Sequence, residues 1–216
     1  MTSNEDDVPI RVDFRDAATA RAWIEETRIK RPYRPRFFAA FCAALASRSK
    51  LRILELGSGP GQLAGEILTH CDVHSYVALD FSLAMHEIAA AHLAELGSRV
   101  TFVTRDFREP DWPDDLGTFD VIVTLQAAHE TRHKRHLVPL LQRARTMLPS
   151  GGMLLYADHY LTPDTKLPAL APARDDQPLA FERAGYVDVE LRYEEGNMAL
   201  WSGTNPIAGV QTLRET

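Results

Sequence analysis

Residues 51–62 read LRILELGSGPGQ. A short, almost wholly aliphatic run that ends at Leu56 and is bounded by glycines predicts a strand buried on both faces. Gly57, Gly59 and Gly61 then turn the chain into a segment of helical spacing. Glycine reaches φ > 0 without strain and carries no Cβ, so a ligand can lie against bare backbone at the N-terminus of the next helix. The spacing is G-x-G-x-G, with Gln62 where the dinucleotide fingerprint wants Gly or Ala. The lysine and Ser/Thr of a phosphate-binding P-loop are absent as well. A single glycine loop is weak evidence, and what flanks it decides its meaning.

Outward from the loop, the strand–helix alternation repeats. Strand-like runs recur at SYVALD (75–80), VTFVTRD (100–106), FDVIVTL (119–125) and GMLLYAD (152–158), with helical patterns over 61–70, 83–96 and 137–148. In the last of these, Leu137, Leu140, Leu141, Ala144 and Leu148 form one apolar face. Such alternation predicts βαβ units and an α/β, doubly wound, mostly parallel sheet. Residues 161–178 are proline-rich and predict a loop. After them LAFERAGYVDVELRYEEGNMALWSGT (179–204) reads as helix, turn at Gly185, strand, turn at Gly196, strand, an antiparallel hairpin on the sheet edge. Residues 1–45 predict an N-terminal helical lid, with Trp23, Phe37, Phe38 and Phe41 in helical spacing broken by Pro32 and Pro35. The main domain is expected over 46–205, and 206–216 reads as a tail.

The 216 residues fit one domain with a core of its own. A hydrophobic share of 45% and a charged share of 25% are ordinary for a globular protein. The net charge of −6 provides no basic field, so nucleic acid is not an expected partner. The short basic clusters RIKRPYRPR and RHKRH read as solvated faces or anion contacts. Cys42 and Cys71 make no disulfide framework and no cysteine metal site. The longest apolar run, FFAAFCAALA (37–46), is too short to cross a bilayer, so no membrane partner is expected. MTSNEDDVP at the start is acidic and polar, unlike a signal peptide, which makes the cytoplasm the expected compartment.

Two carboxylates stand at the ends of the next strands. Asp80, followed by Phe81-Ser82, is placed to accept hydrogen bonds from two ribose hydroxyls at a strand end. Asp106-Phe107 could present an acceptor and a ring to an adenine. Taken together, strand-ELGSGPG, VALDFSLAM, RDF, FDVIVTL and LPSGGMLLYAD resemble the class I S-adenosylmethionine-dependent methyltransferases, in the style of those acting on small molecules. The resemblance spans about residues 50–160, with a weaker likeness in AFERAGYVDVELRY. It implies a Rossmann-like, seven-stranded sheet whose last strand is antiparallel, and methyl transfer from S-adenosylmethionine to a small acceptor at N, O or C. Carried over by position, it implies that Glu55, Gly57, Ser58, Gly59 and Gly61 face the methionine moiety and that Asp80 takes the ribose. Phe81 and Met85 would flank the adenine, Asp106 and Phe107 contact its edge, and Thr124, Leu125 and Gln126 line the floor beneath the sulfonium. The alternative is a cofactor-binding sensor or partner subunit that does not methylate. A nicotinamide oxidoreductase is disfavoured by Gln62.

Residues 129–133, HETRH, imitate the zinc signature of metallopeptidases. That signature needs both histidines on one continuous helix and a third ligand downstream. Here Lys134-Arg135 and Pro139 follow closely, so no metal is expected and a clean helix should begin near His136–Pro139. Placed after the fourth strand, His129 is a candidate general base or orienting group, because imidazole accepts a proton near neutral pH. His159, after the fifth strand, is a second catalytic candidate. Tyr33, Glu130 and Tyr160 are candidate acceptor contacts, and Arg31, Arg34 and Arg36 could close over the cofactor carboxylate or an anionic acceptor. The brief segment after the fifth strand suggests either an open pocket or help from a second copy of the chain in a homodimer.

Overall fold

In the computed structural model, which describes residues 7–10 and 12–207, the aliphatic run Leu51–Leu56 is β1, an interior strand of a seven-stranded sheet. The others are β2 (Val73–Asp80), β3 (Val100–Thr104), β4 (Val121–Leu125), β5 (Met153–His159), β6 (Val187–Glu195) and β7 (Met198–Thr204). Their spatial order is β3-β2-β1-β4-β5-β7-β6. β1 to β5 pair in parallel, and β7 runs antiparallel to both β5 and β6. The chain reverses direction across the sheet between β1 and β4, which opens a crevice beyond their C-terminal ends. Register keeps those ends level, with Leu56 opposite both Leu79 and Thr124 and Leu125 opposite Ala157.

Period-2 alternation sends successive strand residues to opposite faces, so the sheet carries a core on each side. Leu54, Ile122 and Leu154 pack with Leu140, Leu141 and Phe181 on one face. On the other, Ile53, Val123 and Leu155 pack with Phe37, Phe41 and Ile67. The helices supplying these layers are α1 (Ala17–Lys30), α2 (Arg34–Leu45), α3 (Gln62–His70), α4 (Leu83–His92), α5 (Leu137–Thr146) and α6 (Asp176–Arg183). Asp16 caps α1 by accepting from the Thr19 amide at 2.7 Å, and Ser82 caps α4 by accepting from the Met85 amide at 3.1 Å. Pro35 sits in the first turn of α2, where a missing N–H costs nothing, so it starts that helix instead of breaking it. Phe37 and Phe41 are fully buried, which makes α2 a wall of the core. Truncating either to alanine should cost about 3–5 kcal/mol.

Some boundaries differ from the expected ones for local reasons. β3 stops at Thr104, level with the end of β2, where the Arg105 amide makes the last bond of the pair to the Asp80 carbonyl. α4 ends at His92, and Ala94–Arg99 continues as a 3-10 turn around Gly97. α6 starts at Asp176, inside the expected loop. Residues 1–6 and the 208–216 portion of the expected tail lie outside the described residues. No helix of the described residues is long and apolar enough to cross a membrane.

Candidate functional site

The crevice beyond β1, β2 and β4 is a cleft of about 330 Å³. One wall is the glycine loop. Gly57, Gly59 and Gly61 take φ of 71°, 51° and 79°, a region that costs other residues about 1–2 kcal/mol. At Gly57 the requirement is also steric, because a Cβ would stand 2.3 Å from the Ala127 Cβ. At Gly59 a Cβ would meet nothing within 4 Å and would project into open space. Asp80 ties the loop to β2. One of its oxygens accepts from the Gly59 amide at 2.8 Å, the other from the Ser82 amide at 2.9 Å. Burial nevertheless pushes the Asp80 carboxyl above its ordinary range, opposed by these amides.

Glu55 lies beneath the loop, almost fully buried, and accepts from the Tyr76 hydroxyl at 2.7 Å. Burial raises its pKa to about 8; the tyrosine bond opposes the shift and the Asp80 charge adds to it. On the far side Phe81, Met85, Asp106 and Phe107 all line the cleft. Burial disfavours the Asp106 anion, but Arg108 outweighs it through contacts of 2.9 and 3.0 Å and holds that carboxyl below the usual range.

The opposite wall comes from the turn after β4. HETRH forms no continuous helix: Ala128–Thr131 is a 3-10 turn, and Arg132 follows in the left-handed region at φ 71°. His129 therefore faces β5, while the His133 side chain turns away to accept from the Arg135 amide. Among the described residues no group of three His, Cys, Asp or Glu could hold a metal ion. Asp158, at the end of β5, receives both the His129 backbone amide at 3.0 Å and its Nδ1 at 2.9 Å. Nε2 of the same ring lies 3.5 Å from Glu130, which Arg132 holds at 2.8 Å. Burial works against a charged ring here, yet Asp158 and Glu130 outweigh it and raise the His129 pKa to about 10. The imidazole is thus already protonated near neutral pH. The sequence suggested a general base or an orienting group; a ring that Asp158 and Glu130 favour in its charged form donates hydrogen bonds and suits the orienting role.

His159 has the reverse character. Burial lowers its pKa, and a neutral ring lets Nε2 accept from the Gln126 amide at 2.8 Å while Nδ1 donates to Asn197 at 3.1 Å. Its two nitrogens are both engaged, and it supports Gln126 from behind. Gln126 and Leu125 line the cleft, whereas Thr124 is buried in the strand behind them. The Tyr33 hydroxyl accepts from Gln126 at 3.4 Å. Tyr160 is not among the lining residues; its hydroxyl donates to the Gly196 carbonyl at the β6–β7 turn. Glu130 does line the cleft.

Several lining residues were not singled out from sequence. Ile10, Val12 and Phe14 cross the mouth as a strap, held by Arg132 through the Val8 and Pro9 carbonyls at 2.8 and 2.6 Å. Leu167 and Leu170 come from the proline-rich loop. Nothing in a local pattern marks these, because they reach the cleft only through long-range contacts. Arg34, by contrast, was visible in its basic cluster. Its Nε and Nη1 are buried and unpartnered, and burial lowers its pKa to about 10, still charged at neutral pH. The Ser58 hydroxyl and the Gln126 side-chain oxygen are also buried without partners. Polar atoms left open on cleft-lining residues, beside a glycine with free space, suit a ligand with several polar groups laid against the loop.

Comparison with known proteins agrees with this geometry. Residues 53–152 match a family model described as a methyltransferase domain. The methyltransferase ungE' of Aspergillus campestris is 27% identical over 108 residues, which are 49% of this chain and 32% of that protein, so the match spans about a third of the relative's length. Among solved structures, an O-methyltransferase family protein from Burkholderia thailandensis has a TM-score of 0.69 at 17% identity, covering 89% of this chain and 61% of that one. The N-methyltransferase NodS from Bradyrhizobium japonicum, in complex with S-adenosyl-L-homocysteine, has a TM-score of 0.64 at 16% identity, covering 81% and 87%. At such identities the structural likeness speaks for the fold.

Proposed function

We propose that this chain, whose residues 53–152 match a methyltransferase-domain model, is a class I S-adenosylmethionine-dependent methyltransferase and that it methylates a small-molecule acceptor held against His129. The observation that carries this reading is the single cleft that joins the loop–Asp80 wall to the His129–Asp158 wall. The open polar atoms fit the cofactor. Asp80 would take the ribose hydroxyls, the loop amides and Ser58 the methionine end, and the Arg34 guanidinium the carboxylate. Phe81 and Met85 would face the adenine.

When bound, the sulfonium supplies an electrophilic methyl group for in-line displacement. The protein's own share is placement, water exclusion and charge. Gln126, braced by His159 and Tyr33, would form the floor beneath the bound sulfonium. His129 keeps Nδ1–H on Asp158, and its Nε2–H, 3.5 Å from the cleft-lining Glu130, would be the donor offered to an acceptor. A charged donor there stabilises an anionic oxygen or enolate and so lowers the pKa of the bound acceptor. The acceptor's proton then leaves to solvent on binding, and no neutral imidazole has to collect it.

Calorimetric titration of chelator-dialysed protein with S-adenosylhomocysteine tests the cofactor half of this reading. Micromolar binding at one per chain is expected, followed by mass-detected methylation within an acceptor screen. Folded protein that fails to bind it would overturn the assignment.

A further inference from the structure

The charges lining the cleft do not cancel evenly. Asp106 is matched by Arg108, and Glu130 by Arg132. His129 is matched by Asp158 just behind it. Asp80 is satisfied by backbone amides, and Glu55 keeps its proton near neutral pH. Arg31 and Arg34 remain. Both line the cleft, Arg34 feels the charge of Arg31, and among the described residues neither has an ion-pair partner; Glu26, the carboxylate that Arg31 influences, is itself paired with Lys30. Two neighbouring guanidiniums without a carboxylate between them repel each other, and an anion relieves that repulsion.

Only one of these arginines is needed by the cofactor, whose single carboxylate is outnumbered by its ammonium and sulfonium. Arg34 is the deeper of the two, its Nε and Nη1 buried and unpartnered in the part of the cleft that Glu55 and the glycine loop line. Arg31 ends α1 at the mouth, its guanidinium 5.6 Å from the Trp23 ring centroid and close enough to influence His159. Around it the mouth is apolar, with Ile10, Val12, Trp23, Leu167 and Leu170. A cationic acceptor would meet Arg31 and the sulfonium with like charge; an acid would meet both with opposite charge.

We infer that the acceptor is a carboxylic acid with an apolar body, its carboxylate docked on Arg31 while its reacting atom faces His129. This rests on the methyltransferase reading and adds the substrate class to it. Protein saturated with S-adenosylhomocysteine is titrated with matched pairs, 4-hydroxycinnamic acid against its amide and octanoic acid against its amide. At least one acid should bind tenfold or more tightly than its amide. Arg31→Gln should erase that preference with S-adenosylhomocysteine affinity within twofold of wild type, whereas Arg34→Gln should weaken S-adenosylhomocysteine and keep the preference. Equal binding of every pair, no binding of any member, or a tenfold loss of S-adenosylhomocysteine affinity in Arg31→Gln each overturns the inference. Failure of wild-type protein to bind S-adenosylhomocysteine at all would instead strike the methyltransferase reading beneath it.

Discussion

His129 shows how far a single residue can be read before its surroundings are known. Its place after a strand-like run marked it as a cleft residue, and the cleft is where it lies. Its protonation state was not legible, because that depends on Asp158, 29 residues away and brought alongside only by the pairing of β4 with β5. Imidazole in isolation titrates near neutrality; against a carboxylate with almost no solvent exposure it does not. The expected outcome is that the His129 ring, followed by NMR, stays charged well past neutrality in wild-type protein. In Asp158→Asn it should titrate near or below the ordinary histidine range. A wild-type ring that titrates near neutrality would sink the charged-donor mechanism. His129→Ala is the poorer probe, since it strands a buried carboxylate at a cost of about 3–5 kcal/mol.

Among the elements, the glycine loop was the most legible, because its chemistry is written in backbone requirements that neighbouring residues cannot override. The two kinds of requirement separate experimentally. Gly57→Ala combines a positive φ with a 2.3 Å approach to Ala127 and should destabilise the fold by about 3 kcal/mol or more. Gly59→Ala has open space around it and should cost only about 1 kcal/mol, yet reduce S-adenosylhomocysteine affinity at least tenfold by filling the ligand's path. Urea melts and titrations of both variants check this; equal loss of stability in the two would show that Gly59 serves the fold alone. The turn after β4 was legible as a departure from helix, through Lys134, Arg135 and Pro139, but its left-handed Arg132 was not. No local pattern announces that an arginine will bridge Glu130 and the strap of residues 8–9. The strap itself escaped sequence reading because short irregular segments owe their place to what they rest on.

For the molecule as a whole, the sheet and its closing antiparallel hairpin could be read from periodicity, since burial on both faces leaves few arrangements for such strands. Its proton inventory could not. Glu55 and His129 both hold protons more tightly when folded than their ordinary values of 4.5 and 6.5 would allow. Where the folded state binds more protons than the unfolded one, stability falls as pH rises. The Glu55 contribution is therefore lost between 4.5 and about 8, and that of His129 between 6.5 and about 10. Asp158, held low by His129 against the effect of burial, acts oppositely and loses its contribution only in acid. Thermal melts should accordingly show Tm falling by several degrees from about pH 6 to about pH 9; a rising Tm over that range would contradict the assigned states. The buried Glu55 has one more consequence. A cofactor ammonium arriving beside a carboxyl poised at about 8 would expel its proton, so binding near neutrality becomes an acid-releasing reaction. The measured heat should then change with the ionisation enthalpy of the buffer, and affinity should strengthen toward alkaline pH, making the solution's buffer a silent third reactant in every encounter with the cofactor.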